Sequence, residues 1–201
     1  VYNIKDLTVG EFLEKLSQTE FPGPASGSAS AASAAMAAAL FEMSWKASIN
    51  KNDILGSKSN LIDEMAIIRE KLISLATEDM EAYGKFIKGV RVKKTDPASY
   101  EKALIEGTEP LVGIFRNALL ILDIVNNTVQ DSFVKVLGDL AGSSILAHGA
   151  IMAAEKGARI NLKMIKNSDY STRTEKELSE GIEKAAKVMK EITDKIEGCK
   201  N

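Results

Sequence analysis

Residues 21–40 read FPGPASGSASAASAAMAAAL, a Pro/Gly/Ser approach followed by almost nothing larger than alanine until Met36. Alanine is the strongest intrinsic helix former, so this composition predicts a helix from about Ser28 to about Asn50, with Ser26 or Ser28 as its N-cap. A surface helix ordinarily carries large apolar residues on one face and charges on the other, and this one carries neither. Something must therefore come close to its backbone, either a second helix or a ligand.

Working outward, no stretch alternates apolar and polar residues, only four prolines occur and aromatics are 5% of the chain, which predicts an all-α fold. Thr8 and Glu11 form a capping box that opens a short helix, with Phe12, Leu13 and Leu16 expected on the core side. Leu61, Met65, Ile68, Leu72 and Leu75 keep a three/four spacing that predicts a long helix from about Ser57 to Ile87, with Lys88 to Pro97 as its exit loop. Asp96 and Pro97 read as N-cap and first residue of a fourth helix running to about Val125, with Pro110 placed to kink it.

The segment from Val129 to about Lys156 is again rich in Gly, Ala and Ser and predicts a fifth helix. Two helices lined with small residues can approach more closely than the usual ~8 to 10 Å between axes. After an apolar connector, Ile160 to Ile165, Thr172 and Glu175 form a second capping box, opening a last helix with Leu178, Ile182, Ala185, Val188 and Ile192 in one stripe. The expected architecture is one domain over residues 1–201, a bundle of about six helices, several of them long. Long apolar stripes point to a homodimer.

Composition narrows the functional classes. The 201 residues are 45% hydrophobic, enough for an ordinary core, and the formal net charge is -2. That balance gives no general attraction to nucleic acid or an anionic membrane, so neither is an expected partner. Cys199 and His148 are the only residues of their types, which leaves no disulfide, no thiolate or His-pair metal site, and a Ser-His-Asp triad only if His148 is its base. The Ala/Ser run meets Glu42 and Lys46 before reaching the length of a membrane span, and no signal peptide is visible, so a cytoplasmic protein is expected.

Four places carry candidate chemistry. Ser26, Gly27 and Ser28 open the alanine helix, where free N–H groups and the helix dipole suit a carboxylate or phosphate, although on pattern alone a plain turn and cap is the commoner explanation. Asp79 lies mid-helix among Leu75, Ala76, Ala82, Tyr83 and Phe86, where burial would raise its pKa toward general acid/base use; a structural ion pair is the alternative. Asp139, in the small-residue helix, has the same two readings. Lys88, Arg91, Lys93 and Lys94 form a basic run, solvated or holding a polyanionic tail. His148 reads as structural or interfacial.

In this order the pieces resemble the cyclodeaminase domain of formiminotransferase-cyclodeaminase and the related methenyltetrahydrofolate cyclohydrolases. Pro24-Ala25-Ser26-Gly27-Ser28 lies over the family's Pro-Gly-Gly-Gly-Ser loop, and Asp79-Met80-Glu81-Ala82-Tyr83 over its Asp-x-x-Ala-Phe/Tyr segment. Val92-Lys93-Lys94 lies over its Leu-Pro-Lys loop, Gly138-Asp139 over Ser-Asp, and Gly157 to Leu162 over its closing Asn-Val-x-Ile-Asn-Leu. The resemblance implies an all-helical dimer that opens or closes the five-membered ring of a one-carbon tetrahydrofolate, without metal or nucleotide. It implies Asp79 and Asp139 as catalytic carboxylates, and Ser26, Gly27, Ser28, Lys51, Tyr83, Lys94 and Asn161 in substrate binding. The chain departs from the pattern at Ala25, Ser26, Asn50, Gly138 and Gly157. A homodimer of the same fold that binds folate without turnover is the alternative.

Overall fold

The computed structural model describes residues 3–19 and 23–199, so the Phe21–Pro22 start of the alanine stretch lies outside the described residues. Six α-helices follow one another with no strand among the described residues: α1 (Val9–Leu16), α2 (Ser26–Ile49), α3 (Asn60–Val92), α4 (Pro97–Thr128), α5 (Leu137–Leu162) and α6 (Ser168–Gly198). Short 3-10 turns occupy Ile4–Asp6, Asp53–Lys58, Val129–Asp131 and Val134–Val136.

Helices α2 to α5 form an antiparallel bundle in which each packs on its two neighbours, α2 closing the ring against α5, while α6 covers α4 and α5. The core of this bundle holds Phe41, Trp45, Met65, Leu72, Phe115 and Ile121, all fully buried. Small residues let α2 and α5 meet closely enough for side chains to reach the neighbouring main chain. The Ser143 hydroxyl donates to the Ala37 carbonyl at 2.7 Å, and Ser33 to that of Leu146 at 3.2 Å. Ala31, Ala34, Ala37 and Ala38 are wholly buried, so alanine here serves close packing rather than propensity alone. By length and composition Val134–Leu162 could cross a membrane, yet α5 here packs between α2 and α4 as a core element.

Several boundaries differ from the sequence reading. The capping box of α1 is present, but none of its residues is buried and Leu13 is 57% exposed, because a two-turn helix on the bundle's flank has nothing to bury against. The N-cap of α2 is Ala25, with no side-chain cap, since the Ser28 hydroxyl is turned inward instead. Helix α3 continues to Val92, so Lys88 and Arg91 are helical and the exit turn is short. Helix α5 starts at Leu137, after two 3-10 turns, and runs through Ile160 to Leu162. Helix α6 starts at Ser168, where the Asn167 side chain accepts the Tyr170 N–H, and this cap pre-empts the Thr172/Glu175 box, which lies inside the helix. The Asp96 cap followed by Pro97 stands as predicted, and α4 runs unbroken across Pro110.

Candidate active site

A cavity of about 300 Å³ opens where four helices meet at one end of the bundle. The start of α2 supplies Ala25, Ser26 and Gly27, and α3 supplies Asp79, Tyr83 and Phe86, spaced so that all three leave one helix face. Gly107 and Leu111 of α4 and Gly157 and Asn161 of α5 form the opposite wall. The lining is largely apolar, and Asp79 is the only carboxylate in it among the described residues.

Asp79 is held by one residue of the neighbouring helix. The Ser28 backbone N–H and hydroxyl each lie 3.0 Å from Oδ2, and the same hydroxyl is 3.2 Å from the Ala76 carbonyl. Its single proton therefore has two acceptors. When Asp79 is ionised the hydroxyl can donate to it; when Asp79 is protonated the hydroxyl can donate to the Ala76 carbonyl and accept from the carboxyl. Burial disfavours the charge and holds the Asp79 pKa above the ordinary aspartate range, while the Ser28 hydroxyl and N–H pull partly the other way.

The approach of α2 to this carboxylate depends on Gly27. A Cβ at that position would stand 2.2 Å from Asp79 Oδ1, well inside contact distance. The other two positions of the loop make no such demand. Ala25 has φ -140°, extended backbone open to any residue, and Ser26 is already helical. Their side chains narrow the cavity mouth without straining the chain.

The structure gathers Ser26, Gly27, Asp79, Tyr83 and Asn161 at one cavity. Ser28 stands behind Asp79 and is fully buried, and Asn161 Nδ2 lies 3.4 Å from the Gly107 carbonyl, tying α5 to α4. Three expected residues do not join them. Lys51 follows the opposite end of α2, about 38 Å along its axis from Ser26, with its Nζ 5.8 Å from the centre of the Phe133 ring. Asp139 is half-buried in the first turn of α5, where an acid suits the helix dipole, and lies about 27 Å along the axis from Gly157. It is not the mid-helix aspartate that the sequence reading took it for. Lys94 is exposed in the turn after α3 and does not line the cavity.

Phe86 and Gly157 were named from the sequence but, like Leu111 and Gly107, were not assigned to the site. Phe86 was within reach, being seven residues beyond Asp79 on the same helical face. The α4 and α5 wall was not, because small or aliphatic residues there carry no chemical signature.

Fold and site together define an all-helical protein with an apolar cleft built around the raised-pKa carboxylate of Asp79. A formiminotransferase-cyclodeaminase family model matches residues 8–180, and the chain belongs to that family. It is 22% identical over 204 residues to the methenyltetrahydrofolate cyclohydrolase of Methylorubrum extorquens, covering 96% of this chain and 98% of that protein. The crystal structure of formiminotetrahydrofolate cyclodeaminase from Thermotoga maritima matches with a TM-score of 0.90 at 23% identity, over 97% of this chain and 98% of the other. That likeness establishes the fold.

Proposed function

We propose that this protein is an enzyme of one-carbon folate metabolism that opens or closes the five-membered ring of a tetrahydrofolate amidine at the Asp79 cleft. The observation that carries this reading is the Asp79 carboxylate, raised in pKa by burial, in an apolar cavity where no other described residue brings a carboxylate. Such a group suits a cationic amidine, and burial moves its pKa in the direction that general acid/base work needs. Family membership and the cyclohydrolase relative supply the substrate class.

In the hydrolytic direction, water adds to the methenyl carbon of methenyltetrahydrofolate while Asp79 takes its proton. The carboxylic acid then returns that proton to the ring nitrogen as its bond to the carbon breaks, and the carbinol O–H gives up its proton to solvent, leaving the formyl group on the other nitrogen. In the deaminating direction the second folate nitrogen attacks the protonated formimino carbon, Asp79 takes the proton which that nitrogen loses, and the resulting carboxylic acid passes it to the nitrogen that leaves as ammonia. Both directions use the same atoms of the same residue, and neither draws on a metal or nucleotide. Ser28 orients the carboxylate and supplies or withdraws one hydrogen bond as it changes charge.

We further propose that two copies pair through the outward face of α2 and α5, where Met36 and Ile145 are 55% and 61% exposed. His148 lies on that face, three residues from Ile145. A role for Asp139 or Lys51 in this reaction requires that a second copy bring them to the cleft, since their own chain holds them at its far end.

The deciding experiment follows loss of methenyltetrahydrofolate absorbance with wild-type protein, Asp79→Asn and no enzyme. Catalysed loss that disappears in the variant supports the cyclohydrolase. With no acceleration, the same proteins are given formiminotetrahydrofolate and ammonia is measured. Inactivity on both, with folate bound, would leave a folate-binding homodimer as the better reading.

A further inference from the structure

Where helices cross in this protein, glycine stands because a neighbour occupies the place of its side chain. A Cβ at Gly113 of α4 would lie 2.8 Å from Leu75 Cδ2 of α3, and one at Gly181 of α6 would collide with the Phe115 ring of α4. Two glycines of the Asp79 cavity follow the same rule: at Gly27 the obstacle is Asp79, and at Gly157 it is Leu111 Cδ1, 3.2 Å away. Gly107 does not. It is half-buried and lines the cavity, yet a Cβ there would meet no described atom within 4 Å. The other glycines with such open space, Gly56, Gly138, Gly149 and Gly198, are exposed at the surface.

Glycine inside a helix is destabilising relative to alanine, because it loses more backbone freedom on folding. Gly107 lies in the interior of α4, well away from both of its ends, so it serves no cap. No described neighbour requires the small residue there, and packing therefore does not offset its cost. What the missing side chain leaves is room in the cavity. Ala103 and Leu111, four residues to either side, line the same cavity, which puts Gly107 in the middle of the α4 face turned to it. Across the cavity stand the Tyr83 and Phe86 rings of α3, their centres 6.1 Å apart. The Gly107 carbonyl accepts Asn161 Nδ2 at 3.4 Å, which holds this bare stretch of backbone in register with α5.

We infer that Gly107 is the specificity-determining position of this cleft: its missing side chain makes the slot in which a flat fused ring lies between the bare backbone of α4 and the Tyr83 and Phe86 rings, beside the Asp79 carboxylate. A side chain at 107 would narrow that slot without touching the rest of the protein, so it acts on the width of ring that can enter and not on the fold. The inference rests on the proposed folate reaction for the identity of the ring and on the cavity alone for the slot.

Calorimetry with two flat cationic amidines separates width from charge: 2,4-diaminopyrimidine has one ring and 2,4-diaminoquinazoline two fused rings. Wild-type protein is expected to bind both, and Asp79→Asn to weaken both, which locates them at this cavity. From Gly107→Ala to Gly107→Leu the two-ring probe should weaken stepwise, by roughly 10- to 200-fold overall, while the one-ring probe changes by less than about threefold. The kcat/KM for methenyltetrahydrofolate should fall in step with the two-ring probe. Gly107→Ala should melt at the same or a higher temperature than wild type, since alanine favours the helix and displaces nothing. A glycine kept for packing gives the opposite pattern, a lower melting temperature with both probes weakened alike. That pattern, unchanged affinity of Gly107→Leu for the two-ring probe, or no binding of that probe to wild type would overturn the inference even if methenyltetrahydrofolate is turned over. Size-dependent loss of the two-ring probe by a protein inactive on both folates would uphold the slot and sink the proposed reaction instead.

Discussion

At Gly27 the side chain that is missing matters as much as the one it faces. A methyl group there would meet Asp79 Oδ1 at 2.2 Å, and the obstacle is the catalytic candidate itself. Gly27→Ala is therefore expected to displace Asp79 and abolish turnover, with a lower melting temperature by circular dichroism as the accompanying sign. Asp79→Asn should behave differently, losing ~10²- to 10⁴-fold in kcat while remaining folded. A carboxyl whose folded pKa is raised contributes stability that is fully present below the unfolded pKa and is lost as pH rises through the folded one. Above its folded pKa the charged Asp79 therefore opposes folding, and there Asp79→Asn should melt at the same or a higher temperature than wild type. A lower melting temperature at pH 8 would contradict this. The same group sets the pH profile, since water activation needs the ionised form and kcat/KM should rise with pH through the Asp79 pKa. Ser28→Ala removes a hydrogen bond that lowers this pKa, so the acidic limb should move to higher pH.

At the scale of a helix, α2 explains why a sequence can be apolar in composition yet show no single large-residue face. One side is closed by α3, α4 and α5, and alanine lets them approach until serine hydroxyls bond across to backbone carbonyls. Ala38→Leu would add a branched side chain where no surface is exposed, and a loss of about 1 to 3 kcal/mol in denaturant unfolding is expected. The six helices were legible because three/four spacing in α3 and α6, alanine and other small residues in α2 and α5, and the Asp96-Pro97 and Thr8-Glu11 signals are all local. Helix ends were less so. The Thr172/Glu175 box has the right residues for a cap, but Asn167 provides one first, and nothing in the pattern ranks the two.

At the scale of the molecule, α2 and α5 run antiparallel with their outward faces side by side, exposing Met36, Met43, Ile145 and Met152. If two copies pair there, Ile145→Glu should convert a dimer to a monomer in sedimentation equilibrium without loss of helical content; an unchanged mass would place any interface elsewhere. The sequence by itself determined the helical class, the close-packed alanine helix and the singling out of Asp79, because each follows from a local pattern: helix period, side-chain size, or an acid among apolar neighbours. Only the tertiary structure decided which residues share the cleft, since Gly27, Asp79, Gly107 and Gly157 come from four helices and meet through packing alone. It also separated Asp139 and Lys51 from Asp79 within one chain. The physical reason is that a motif records spacing along one helix, whereas a site is made by the register between helices, which depends on every contact in the core at once.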